Sequence, residues 1–205
     1  MSYIHPFFKD SMFAGFVHRG GAEEFTENTL EAFQYSANMG FTYMETDVQA
    51  SCDGEIVVFH DSDLKRMAGI NKRIADLTYT EIREIRLGEK FQIPSLNDLL
   101  SSFKDLKFNI DIKTNEAVEK TIQIISSQKA FDRVCLASFS SRRLDKVRNL
   151  VDNKCCTSMG MREVFKTKIG SLGLPLHPPK GACAQVPKYK WGIPLVTKKF
   201  IDYLQ

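Results

Sequence analysis

The stretch Tyr43-Met44-Glu45-Thr46-Asp47-Val48 decides the fold. It is a short run flanked by turn residues and reads as a β-strand. Yet it carries two carboxylates two positions apart. With a strand's period of two, both project from one face, about 7 Å apart along the chain. Buried together in low dielectric, like charges repel strongly unless a cation lies between them. A strand of this kind belongs to a fold with a chemical site at its strand ends.

Outward from it, short apolar runs alternate with longer amphipathic ones. Strands are expected at 14–18, 43–48, 56–60, 108–112, 134–138, 155–159 and 182–186. Their near-continuous apolar character suits strands covered on both sides. Helix starts lie between them. Asn28 with Glu31 reads as a capping box, with Leu30, Phe33 and Ala37 on one face and Gly40 as the stop. Thr78 with Glu81 and Ser95 with Asp98 give similar starts. Val118, Ile122 and Ile125 line one further helix, and Leu144, Val147 and Val151 line another behind Ser140. Repeated strand–helix–strand units argue for a parallel α/β sheet with right-handed crossovers. Only seven residues separate Val48 from Ile56 and they contain Asp53-Gly54, which predicts a hairpin or a tight extended return. The stretch 170–181 holds six Gly or Pro in twelve residues and reads as an irregular loop.

At 205 residues the chain is expected to form a single domain, 1–205. A composition of 43% hydrophobic and 26% charged residues excludes a disordered tail, a collagen-like fibre and a coiled coil. The net charge of +3 is too small and too evenly spread for a nucleic-acid partner. No run is long and apolar enough for a transmembrane segment, and the first residues make a poor signal peptide. Five cysteines (Cys52, Cys135, Cys155, Cys156, Cys183) in no CxxC spacing point to a reducing cytoplasm and no zinc site. His5 and His177 read as surface residues. Trp191 and the phenylalanines Phe7, Phe8, Phe13 and Phe16 read as packing.

Ionisable residues gather at the C-terminal ends of the expected strands. His18-Arg19-Gly20-Gly21 ends the first, Glu45 and Asp47 lie on the second, His60-Asp61 ends the third, and Asp111 and Lys113 share a face at the end of the fourth. In parallel α/β folds these ends converge on one rim, where active sites lie. Oxygen ligands without cysteine indicate a hard cation, Mg²⁺ or Ca²⁺, with Asp111 as the natural third carboxylate. A hard cation with Arg and Lys beside it clamps the negative charge of a phosphate. Two imidazoles can serve as general base and general acid. No Walker loop is present, so the indicated reaction is cleavage of a phosphodiester.

The ordered set His18-Arg19-Gly20, Glu27-Asn28-Thr29, Glu45-Thr46-Asp47-Val48, Asp53-Gly54 and Val57-Val58-Phe59-His60-Asp61 resembles the signature of glycerophosphodiester phosphodiesterases. The likeness continues through Ile93-Pro94-Ser95-Leu96, Asn109-Ile110-Asp111-Ile112-Lys113, Ala137-Ser138-Phe139 and Gln185-Val186-Pro187. It implies a TIM (β/α)8-type barrel and a metal-dependent hydrolase. Its substrates would be small glycerophosphodiesters, cleaved to glycerol 3-phosphate and an alcohol. By the same resemblance His18 and His60 are catalytic, Arg19 and Lys113 bind the substrate phosphate, and Glu45, Asp47 and Asp111 hold one divalent cation. The third ligand is Glu in most of the family, and here it is the shorter Asp111. The family also continues beyond the segment matching 200–204, so the resemblance implies a barrel incomplete by its last one or two strands. An open barrel of that kind would expose strand edges, for which a homo-oligomer would be the natural cover. Two alternatives follow: a truncated, catalytically impaired paralogue that acts by binding, and a sphingomyelinase-D-like phospholipase, which shares the Asp.

Overall fold

In the computed structural model of the protein, which describes residues 5–9, 14–174, 176–190 and 192–204, strand β1 (Phe16–Val17) is followed by helix α1 (Leu30–Asn38) and β2 (Tyr43–Ala50). A hairpin leads to β3 (Ile56–Val58), then to three short helices: α2 (Lys65–Ala68), α3 (Tyr79–Glu84) and α4 (Leu96–Ser102). Regular alternation resumes with β4 (Lys107–Ile112), α5 (Ala117–Ser127), β5 (Val134–Ala137), α6 (Ser141–Val151), β6 (Cys156–Thr157) and α7 (Met161–Gly170). A small antiparallel pair, β7 (Tyr189–Lys190) and β8 (Ile193–Pro194), precedes α8 (Lys198–Leu204).

The parallel strands lie in the order β1-β2-β4-β5-β6, each beside the next parallel strand in the chain. This order never reverses. A doubly wound sheet must reverse and a TIM-type barrel does not, so the sheet is a barrel segment. β3 stands apart, pairing antiparallel with β2 across the Asp53-Gly54 turn. The short connection between them is therefore a hairpin, and Gly54 takes the positive φ of +82° that its turn requires.

Strand register sorts the side chains into two faces. Met44, Val48, Phe108, Ile110, Ile112, Val134 and Leu136 face outward into a core shared with Phe33, Leu99, Val118, Ile125 and Val147 of the helices. The alternating inward set is polar or small. Glu45 lies opposite Asn109, which in turn lies opposite Cys135, and Asp47 lies opposite Asp111, which lies opposite Ala137. At the strand starts, a 3₁₀ turn (Pro6–Phe8) plugs the barrel. Phe7 is fully buried there, and its carbonyl accepts hydrogen bonds from Tyr43 Oη (3.0 Å) and Lys107 Nζ (2.8 Å). Phe8 packs edge-on and Phe16 face-on against Phe7, which makes them packing residues. Phe13 and Trp191 lie outside the described residues. His5 accepts from Phe7 N and caps the 3₁₀ turn, while His177 is exposed.

Helix starts follow local chemistry. Thr78, Ser95 and Ser140 each accept a hydrogen bond from the backbone N–H three residues on, and Thr78 with Glu81 forms the complete reciprocal box. The first helix differs from expectation. Its cap is Thr29, which accepts from Ala32 N at 3.2 Å, and Asn28 is released for another role. The expected strand at 182–186 reduces to a single parallel bridge, Ser158 to Cys183, extending the sheet order beyond β6. Pro187 lacks the N–H that a longer ladder would need. Cys135, Cys155 and Cys156 are buried free thiols. Among the described residues no helix is long and apolar enough to cross a membrane.

Candidate active site

β1 ends in a sharp turn, His18–Gly20, with Arg19 at φ +51°, Gly20 at +77° and Gly21 at +104°. A Cβ at Gly20 would lie 3.0 Å from the Phe33 ring, so both backbone conformation and packing demand glycine there. Arg19, in the left-handed region without a glycine's freedom, carries strain of the kind found at functional sites. The turn aims the Arg19 N–H at Glu45 Oε2 (3.2 Å) and brings His18 Nε2 to 3.8 Å from the same oxygen.

Around the rim, charges form one connected chain. Asp47 approaches Arg19 Nε at 3.3 Å and Lys113 Nζ at 2.7 Å. Lys113 also donates to Asp111 Oδ2 at 2.6 Å, standing between the two carboxylates that face each other across β2 and β4. Asn28, fully buried at φ +57°, donates from Nδ2 to Asp47 Oδ2 (3.2 Å) and accepts from Thr46 Oγ1 (2.8 Å). On the far side His60 Nδ1 pairs with Asp61 Oδ1 at 2.7 Å. Arg66 binds Asp61 through Nε (2.6 Å) and grips both oxygens of Glu27 (2.6 and 3.1 Å), and Glu27 accepts from Arg19 at 3.0 Å. The structure thus gathers His18, Arg19, Glu45, Asp47, His60, Asp111 and Lys113 on one rim. It adds Glu27, Asn28, Asp61 and Arg66. Glu27, Asn28 and Asp61 lie within the quoted motifs, which gave them no role in the site. Arg66 has no sequence signal at all.

The electrostatics are uneven. Burial, aggravated by Asp47, pushes the Glu45 carboxyl up to about 8. Burial also raises Asp111, with Lys113 opposing it. Burial alone would lower Lys113, but Asp47 and Asp111 outweigh it and hold its ammonium protonated. Burial and then the Arg19 charge lower His18, leaving its imidazole neutral at neutral pH. With Glu45, Asp47 and Asp111 all ionised, Arg19 and Lys113 leave one negative charge uncompensated.

That deficit would suit a hard divalent cation: three clustered carboxyl groups could offer oxygen donors, one of them stays protonated without a counter-charge, and Asp111 Oδ1 is buried with no hydrogen-bond partner. Among the described residues no three His, Cys, Asp or Glu side chains already stand in a metal-holding cluster. Lys113 Nζ lies on the two carboxylates that would have to share an ion.

Residues 18–163 match the glycerophosphoryl diester phosphodiesterase family. Over 187 residues the chain is 33% identical to the Mycobacterium tuberculosis protein named probable glycerophosphodiester phosphodiesterase 2, covering 88% of this chain and 71% of the relative. It is 34% identical over 144 residues to lysophospholipase D GDPD1 of Rattus norvegicus, covering 63% of this chain and 46% of the relative. Among solved structures, the Thermotoga maritima glycerophosphodiester phosphodiesterase is 33% identical with a TM-score of 0.60, over 69% of this chain and 58% of that one. An Oleispira antarctica phosphodiesterase shares the fold at 21% identity and a TM-score of 0.66, over 70% of this chain and 64% of that one. The chain therefore spans only part of each relative's length. With its strand order, its rim and these likenesses in agreement, the chain belongs to the glycerophosphoryl diester phosphodiesterase family of TIM-barrel phosphoric diester hydrolases.

Proposed function

We propose that the protein hydrolyses glycerophosphodiesters to glycerol 3-phosphate and an alcohol, with a divalent cation at Glu45, Asp47 and Asp111. The observation that carries the reading is the convergence of two imidazoles, two cationic side chains and three buried carboxylates on one rim. The product sn-glycerol-3-phosphate bound to the Oleispira protein supports the substrate class.

Arg19 and Lys113 present the positive charge that holds the phosphoryl oxygens and stabilises charge developing on them. His18, kept neutral by burial and by Arg19, takes the proton of the attacking hydroxyl. Asp61 holds the His60 ring through Nδ1, leaving Nε2 to give a proton to the departing alkoxide. Arg66 in turn fixes Asp61. When bound, the cation supplies Lewis-acid charge to a phosphoryl oxygen and the counter-charge that the three carboxylates lack.

The purified chain is expected to hydrolyse glycerophosphocholine in Mg²⁺ or Ca²⁺. EDTA should abolish turnover, and His18→Ala or His60→Ala should lower kcat by roughly 10²–10⁴-fold. Turnover indifferent to EDTA and to both substitutions would overturn the reading.

A further inference from the structure

Three thiols gather in the barrel interior at the end away from the rim. Cys135 on β5 and Cys156 on β6 are register partners, both buried in the cluster around the Phe7 plug. Cys183, on the segment that follows β6 in the sheet, packs against the same cluster and is only partly buried. Its Sγ lies 3.7 Å from Cys135 Sγ, although 48 positions separate the two in the chain. Cys155 belongs to the outer core, and Cys52 is exposed.

The backbone fixes where Cys183 stands. Met159 N donates to Cys183 O (2.7 Å) and Ala182 N donates to Thr157 O (2.8 Å). A Cβ on Gly181 would collide with the backbone of Ser158 and Met159, so the segment enters in close contact with the chain beyond β6. On its other side the two sulfurs need to approach by less than about 2 Å to reach bonding distance. Their chemistry is unequal. Hydrogen bonds with Cys156 and Cys183, and then burial, push the Cys135 thiol well above its usual value. The bond from Cys135 brings Cys183 below its usual value, against burial. Cys183 is therefore both the better source of thiolate and the more accessible sulfur, with Cys135 in contact behind it.

We propose that Cys135 and Cys183 form a reversible disulfide on reaction with a hydroperoxide, fastening the segment 181–186 to β5. The Cys183 thiolate attacks one peroxide oxygen, the O–O bond breaks, and the other oxygen leaves as hydroxide or alkoxide. Cys183 is then a sulfenic acid. The Cys135 sulfur attacks it, the S–O bond breaks, and the departing hydroxide takes the Cys135 proton as water. Two electrons have passed from the sulfurs to the peroxide. A thiol reductant returns them by exchange through a mixed disulfide. The cross-link closes a loop across 48 positions, which restricts the unfolded chain and so stabilises the folded one. Among the other bonds that hold this segment, Asn109 donates to Gln185 (2.9 Å) two residues beyond Cys183.

The test exposes the fully reduced chain to hydrogen peroxide and then to dithiothreitol. The intact mass should fall by two hydrogens and recover on reduction. Trypsin cuts after Arg133, Lys154 and Lys180, so a non-reducing peptide map separates Cys135, the Cys155-Cys156 pair and Cys183. The map should join the Cys135 and Cys183 peptides. Tm should rise by roughly 5–10 °C and return with dithiothreitol. Cys183→Ser should abolish the mass loss and the rise, whereas Cys52→Ser should leave both intact. Cys135→Ser should leave a sulfenic acid on Cys183 that dimedone labels; where that variant fails to fold, the wild-type map decides. A mass that does not fall, or a link through Cys52, Cys155 or Cys156 in place of the expected pair, overturns the proposal. A Cys135–Cys183 link with no rise in Tm overturns the fastening.

Discussion

Asn28 turns a local reading into a chemical one. Its place before a helix and its spacing to Glu31 suit a cap, yet the cap is Thr29. Asn28 sits at φ +57°, a conformation that asparagine tolerates better than most L-residues, and this directs its amide onto Asp47. If Asp47 holds the proposed cation, a residue that orients its carboxylate tunes metal affinity without touching the metal. Asn28→Ala is therefore expected to weaken the apparent affinity for Mg²⁺ or Ca²⁺ by roughly 10–100-fold, read from activity titrated with the cation. Lost stability with unchanged cation affinity would make Asn28 a structural residue only. His60 shows the same dependence on distant groups. Its partner Asp61 is adjacent in the chain, but the Arg66 that holds Asp61 is itself held by Glu27, 39 positions away.

Among the elements, α7 depends most on one side chain. Glu163 Oε2 accepts from Gly160 N (2.9 Å) and Arg148 (2.7 Å), while Oε1 accepts from Lys180 N (2.8 Å) and Gly181 N (3.2 Å). One carboxylate thus ties the start of α7 to α6 and to the segment that continues the sheet. Burial alone would raise Glu163, but these donors, Arg148 foremost, bring it below the usual carboxylate value. A depressed carboxyl stabilises the fold above its unfolded value and loses that contribution as pH falls through the folded one. Glu163→Gln should therefore cost about 1–2 kcal/mol at pH 7, allowing for solvent screening. The gap from wild type should close as pH drops below 4.5, the ordinary value. Denaturant midpoints across pH 3–7 check this; a gap constant with pH would refute the assignment. The expectations that held for whole elements, such as the caps at Thr78, Ser95 and Ser140, concern bonds made within one turn.

At the scale of the molecule, the inward face of the strands is polar while their outward face is packed against helices. Three carboxylates buried in that interior cost stability until a counter-charge arrives. Added Mg²⁺ or Ca²⁺ should consequently raise Tm, by the equivalent of about 2.7 kcal/mol at a hundred times Kd. Glu45→Gln should blunt the shift, and thermal melts with and without EDTA measure it. Identical melts would overturn cation binding, and a full shift in Glu45→Gln would place the cation outside this site. What the sequence by itself determined is what short-range chemistry dictates. Period-two placement set Glu45 and Asp47 on one face, strand ends carried the His, Asp and Lys, and Asp53-Gly54 forced a turn. It could not show that β3 turns antiparallel, that the segment at 182–186 keeps one bridge, or that Arg66 closes a charge chain with Glu27. Nor could it show the Cys135 and Cys183 thiols in contact inside the barrel. Those depend on contacts between residues far apart in the chain, and only the closing of strands and helices on one another decides which of them meet.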